Sequence, residues 1–159
     1  GHRRIAYLRS TDDIEPYTDR EVGYFLGIEQ ANLNNDNALL FRLEENELTV
    51  VQLQQWLSDQ ITAFVVENSD IGYALMNAGA AIGKYPPVDF SMAVLGQPLS
   101  PYENLPEWTS FRIPRREMGI EAVKLLNEIL EAENSALPAP RLLPCTFLEG
   151  NTVGEPPAP

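Results

Sequence analysis

Short apolar runs alternate with longer segments of helical periodicity along nearly the whole chain, and this alternation restricts the fold more than any other feature. The run Arg4 to Leu8 opens the series, and a helix from about Arg20 to Leu33 follows a polar loop at Ser10 to Asp19. That helix is expected to turn Val22, Phe25, Leu26 and Ile28 towards a core, with Gly23 and Gly27 permitting close approach to a sheet. Asn34-Asn35-Asp36-Asn37 reads as a turn. Ala38 to Leu43 reads as the second strand, and Thr49 with Gln52 forms a capping box opening a helix that faces Val50, Leu53 and Leu57 inward. Thr62 to Val66 is apolar without alternation, as a strand buried on both faces must be. Asn68 or Ser69 caps a helix bearing Ile71, Leu75, Ala78 and Ile82, which Gly83 and Pro86-Pro87 end. Strands at Phe90 to Leu95 and Trp108 to Arg112, a helix opened by Pro114, and a strand near Leu142 to Leu148 complete the order. The pattern predicts an α/β fold with a mainly parallel sheet flanked by helices.

Charge and length narrow the function classes. The chain has 159 residues, enough for one domain with a real core. Its 23 acidic and 11 basic residues give a net charge of −12, which repels a phosphate backbone and argues against nucleic-acid binding by this chain itself. Arg3-Arg4 and Arg115-Arg116 read as solvated faces. No apolar run approaches the ~20 residues of a membrane span, and no signal peptide opens the sequence. Single residues of Cys (Cys145) and His (His2) leave no internal disulfide and no plausible zinc site, so no metal or cofactor is expected and a reducing, cytoplasmic setting is compatible.

Several motifs resemble the LacI/GalR family of bacterial transcription regulators, and they occur in family order. Gly1-His2-Arg3-Arg4-Ile5-Ala6-Tyr7 is similar to its Gly-His-x-x-Ile-Ala-Tyr/Phe motif. Arg20-Glu21-Val22-Gly23-Tyr24 resembles an Arg-x-x-Gly-Phe/Tyr helix start, and Thr62 to Asn68 a Thr-Ala-Ile-x-x-x-Asn-Asp strand and turn. Pro87 to Gly96 resembles the approach to the fourth strand, Trp108 to Gly119 the Thr-Thr-Val-x-x-Pro-x-x-x-Met-Gly junction, and Leu143 to Thr152 the family's ending. The resemblance implies the C-terminal part of an effector-binding domain, a periplasmic-binding-protein-like type I subdomain with flavodoxin-like strand order, over residues 1–153, with 154–159 an irregular tail. In such a domain the helix over 114–133 packs on the other subdomain, so here its apolar face is expected to be exposed unless a second chain or swapped element covers it.

The same resemblance implies a small polar, sugar-like effector held at the carboxyl ends of the strands, and operator DNA bound only through a headpiece outside this chain. Those ends are polar here, as sugar hydroxyls require. Candidate ligand residues are Arg20, Asn68, Ser69, Gln97, Asp12, Asn46 and Tyr17. Arg20 equally reads as a solvated helix-start arginine, Asn68 as a helix N-cap, and Tyr17 as a surface loop residue. Two departures bear on the effector: Asn68-Ser69 replaces Asn-Asp, and Gly96-Gln97-Pro98 replaces Gly-Phe/Tyr-Asp, so two carboxylates that grip hydroxyls are gone. Gly72, Tyr73, Met76 and Ala80 form a small apolar strip expected to contribute to a homodimer.

Catalysis is not expected. Asp12-Asp13 suggests a phosphate-accepting receiver pocket, but the third strand ends in Asn68-Ser69, and Lys84 and Lys124 are misplaced for it. Ser-His-Asp chemistry has only His2 as base, and no glycine-rich phosphate loop follows a strand. The alternatives to a regulator are a transport-type sugar-binding protein and a ligand-free dimerisation module.

Overall fold

The computed structural model of the chain describes residues 1–11, 15–33, 38–43, 48–96, 107–131 and 138–157, and for residues 15–18 and 38 the backbone alone. The elements run β1 (Ile5–Ser10), α1 (Glu15–Gln30), β2 (Ala38–Leu43), α2 (Val50–Ser58), β3 (Ala63–Val66), α3 (Ser69–Ala81), β4 (Ser91–Val94), β5 (Ser110–Arg112), α4 (Arg115–Glu131) and β6 (Thr146–Leu148). They build one six-stranded sheet in the order β2-β1-β3-β4-β5-β6. All neighbours are parallel except the β5–β6 edge pair. The expected mainly parallel sheet, with its first-two-strands reversal, is therefore the observed one.

Handedness distributes the helices. A right-handed crossover from β1 to β2 puts α1 on one face, while the steps to β3 and β4 run the other way and put α2 and α3 on the opposite face. Alternate strand residues serve the two sides accordingly. Ala6, Leu8, Phe64, Val66, Met92 and Val94 pack against Leu53 and Trp56 of α2 and Ile71 and Leu75 of α3. Trp56 is stacked on Phe41 at 4.6 Å, and Phe64 meets Phe90 edge-on at 5.5 Å. Each fully buried side chain of this size contributes about 2 kcal/mol. The other face is thinner: Tyr7, Tyr24 and Ile28 form its buried nucleus.

Local grammar at the helix starts is as the sequence indicates. Thr49 Oγ1 accepts from the Gln52 amide and Gln52 Oε1 accepts from the Thr49 amide, a complete capping box. Asn68, of the two candidate caps, is the one used: its Oδ1 accepts from the Ile71 amide at 3.0 Å.

Helix α1 departs from expectation. It starts earlier, at Glu15, and only Tyr24 and Ile28 of its described side chains are buried. Val22, Phe25 and Leu26 are exposed, because the helix is tethered through Tyr24, whose hydroxyl donates to the Ile5 carbonyl and accepts from the Leu39 amide, both at 2.8 Å. That anchor sets the helix rotation and turns the other apolar side chains outward. Gly23 and Gly27 do not meet the sheet: a Cβ at either would touch nothing within 4 Å, and both line an open apolar groove of about 380 Å³ with Ile5, Val65 and Leu95. Helix α4 buries no residue, and Met118, Val123 and Leu126 are exposed on it. Arg141 pairs with Glu121 and Glu128, tying the segment before β6 to that helix. The strand expected from Leu142 begins only at Thr146, since Pro144 has no N–H to give a ladder.

Two clasps close the sheet at the end opposite the helix starts. His2 Nδ1 lies 2.8 Å from Thr62 Oγ1, and Nε2 lies 2.9 Å from Ser91 Oγ and 3.1 Å from the Gly154 carbonyl. The carbonyl only accepts, so Nε2 carries a proton. The final segment returns beside β4: the Met92 amide donates to the Thr152 carbonyl, and Thr152 Oγ1 donates to the Met92 carbonyl at 2.7 Å. This closeness depends on Gly150, where a Cβ would stand 2.3 Å from the Trp108 carbonyl carbon. The atoms it would meet are all backbone of Glu107, Trp108 and Thr109, so no side chain can give way. Gly150→Ala is expected to lower stability by about 3 kcal/mol, read as a fall in the urea midpoint with an unchanged slope.

Candidate functional site

In an open parallel sheet a crevice forms where successive connections depart in opposite directions, here outside the carboxyl ends of β1 and β3. The strands reach this point in register, Leu8 beside Val66, so the next residues, Arg9 and Glu67, are neighbours. Both side chains are buried, at 1% and 0% exposure, which is rare for charged groups unless they are paired.

Their partners come from β1 and α1. Arg9 Nη1 donates to Glu21 Oε2 at 2.6 Å and Arg9 Nε to the Ser10 carbonyl at 3.1 Å. Arg42 reaches the same Glu21 oxygen from the exposed side at 3.4 Å. Glu67 Oε2 accepts from the Ser10 amide at 2.9 Å, Oε1 accepts from the Tyr7 hydroxyl at 3.3 Å, and the Glu67 carbonyl accepts from Arg20 Nη1 at 3.4 Å. Arg9, Arg20 and Arg42 thus gather with Glu21 and Glu67 around the tips of β1 and β3. Burial raises the Tyr7 hydroxyl well above its usual 10.0, the Glu67 carboxylate reinforces this by charge and by the hydrogen bond, and Arg20 and Arg9 oppose it. Burial also raises Tyr24, which stacks on Tyr7 at 5.3 Å, against a smaller lowering by the backbone of Leu39.

The expected site residues divide. Arg20 and Asn68 come together: Arg20 hydrogen-bonds the carbonyl directly before Asn68, and Ser69 follows as the first residue of α3. Asn68 caps α3; its Oδ1 serves the helix while the amide nitrogen retains its own donors. Tyr17 lies within α1 rather than a loop, where the backbone alone is described. Asp12, Asn46 and Gln97 lie outside the described residues. The proposed dimer strip does not form one exposed stripe. Gly72 is buried, a Cβ there standing 3.0 Å from the Trp108 ring, and Met76 packs partly against the core. Tyr73, 4.7 Å from the Trp108 ring centre, and Ala80 are exposed.

Tyr7, Arg9, Glu21 and Glu67 were not among the sequence candidates. A signal was present, since Arg9 and Glu67 each directly follow an apolar strand run. Their opposite charges at adjacent tips become visible only once β1 and β3 are paired.

These features, a parallel sheet with a reversal point and a polar cluster at the strand tips, define an α/β protein with flavodoxin-like strand order. Residues 1–153 match the model of the periplasmic binding protein-like domain, and the chain belongs to that family. The chain is 28% identical over 138 residues to the arabinose metabolism transcriptional repressor of Geobacillus stearothermophilus, covering 82% of this chain and 38% of that protein. A LacI family transcriptional regulator from Bifidobacterium animalis subsp. lactis superposes with TM-score 0.80 at 17% identity, over 99% of this chain and 57% of the other. Another, from Enterococcus faecium with bound ribose, gives TM-score 0.72 at 19% identity, over 96% and 57%. The chain therefore spans well under two thirds of these relatives and covers only part of an effector-binding domain.

Two predictions follow from the cluster. Glu21→Gln weakens the partner of a buried guanidinium and is expected to cost about 2 kcal/mol in chemical denaturation. For Tyr7 the folded state holds the proton at pH values where a free tyrosine loses it. Its contribution is full below about pH 10 and is lost as pH rises further, because the unfolded chain then releases the proton first. The alkaline limb of a stability–pH curve is expected to flatten in Tyr7→Phe, with Tyr24 contributing to the slope that remains.

Proposed function

We propose that the chain is the effector-binding part of a LacI-type transcription regulator and has no catalytic role. A small polar molecule of the sugar class binds outside the tips of β1 and β3, in contact with Arg20, Asn68 and Ser69. Asp12, Asn46, Gln97 and Tyr17 complete the proposed contacts. Arg20 supplies guanidinium N–H donors to hydroxyl or ring oxygens, Asn68 a side-chain amide, and Ser69 a hydroxyl. The convergence of Arg20 on the Asn68 turn, at the reversal of the sheet, carries this reading.

Ligand binding biases the relation of this part to the rest of the effector domain, and thereby operator affinity through a homodimer, in a cytoplasmic protein. Such coupling requires different affinity for two conformations. The dimer contact uses the exposed Tyr73 and Ala80, with Gly72 and Met76 supporting them from the core side. The −12 charge keeps this part off DNA, which falls to a separate headpiece.

A ligand-free dimerisation module is the second reading, supported by the chain's own Arg9 and Glu67 filling the strand tips. Thermal unfolding with D-ribose or L-arabinose separates the two. At a hundredfold excess over Kd the effector reading expects about 2.7 kcal/mol of stabilisation, lost in Arg20→Ala. No shift with monosaccharides, nucleosides or phosphorylated sugars at millimolar concentration leaves the dimerisation module as the function.

A further inference from the structure

We infer that Glu67 is a positioning residue of the effector site, whose buried carboxylate ties the exit of β1 to the turn before α3 while its backbone carbonyl accepts from Arg20. This rests on the reading above that Arg20 and the Asn68-Ser69 turn face the ligand.

Four separate bonds meet at this residue. Its amide donates to the Leu8 carbonyl at 3.0 Å, extending the β1–β3 ladder past Val66. Its carboxylate takes the Ser10 amide on one oxygen and the Tyr7 hydroxyl on the other. Its carbonyl holds Arg20. The next residue, Asn68, caps α3. With the side chain fully buried, Glu67 is screened from solvent. Its work is to fix the backbone from which the ligand-facing groups project. Displacing the Ser10 amide moves the chain leading into the loop after β1; displacing the Glu67 carbonyl shifts an acceptor of the Arg20 guanidinium.

The bonding pattern separates shape from charge. In Glu67→Gln the amide oxygen still accepts from Ser10, while the amide nitrogen donates to the Tyr7 oxygen once that hydroxyl rotates. The anchor survives without the negative charge. In Glu67→Ala both bonds are lost.

The test compares ¹H–¹⁵N spectra of the ligand-free chain and its variants. Glu67→Ala is expected to shift the Ser10 amide, the Arg20 Nε–H and the Asn68 and Ser69 amides together, and Glu67→Gln to return the Ser10, Asn68 and Ser69 resonances towards their original positions. Leu53→Ala, in the α2 core away from the site, is the control for lost stability and is expected to leave all of them in place. Unmoved resonances in Glu67→Ala, or equal movement in Leu53→Ala, overturn the inference. Should Glu67→Ala not fold, failure of Glu67→Gln to keep the Ser10 amide at its original position overturns it. In titrations with D-ribose, Glu67→Ala is expected to weaken binding about tenfold and Glu67→Gln about threefold or less. A chain that ignores ribose counts against a sugar effector, while the spectra still decide the role of Glu67.

Discussion

Parallel pairing of β1 with β3 is the contact from which the rest of the architecture follows. Two parallel neighbours cannot be joined by a hairpin, so the chain must leave, cross a face and return. Because β2 lies on the other side of β1, successive crossovers depart in opposite directions and helices are forced onto both faces. The same pairing opens a crevice at the carboxyl ends and leaves none at the amino ends, which His2 and the Thr152 segment close.

The crevice is chemically uneven. On the α2–α3 side the strand tips run into a large apolar core, whereas on the α1 side the last residues are Arg9 and Glu67. Burying these charges is costly in isolation, and they persist because Glu21, Ser10 and Tyr7 satisfy them geometrically. A network of this kind adds little net stability compared with an apolar core. It does restrict how the backbone exits the sheet, which a binding site requires.

Much of the fold was legible because strand and helix signals here are local. The capping box at Thr49-Gln52, the Asn68 cap and the unbroken apolar run at Thr62 to Val66 depend on near neighbours in sequence. Helix α1 shows where that stops. Val22, Phe25, Leu26 and Ile28 have helical spacing, yet the Tyr24 hydroxyl, bonded across β1 and β2, rotates the first three outward. Of the candidate site, Arg20 and Asn68 were readable from motif resemblance, while the buried acidic partner beside them was not.

By itself the sequence determined the order of elements, the two-faced burial of the central strands and the membership in a binding-domain family, since periodicity, caps and motif order are written along the chain. Tertiary structure alone decided that Arg9 and Glu67 share one buried cluster, that Gly72 lies beneath Trp108, and that Gly150 must stay without a side chain. Each of these depends on distances between residues remote in sequence, and such distances exist only after the strands have paired.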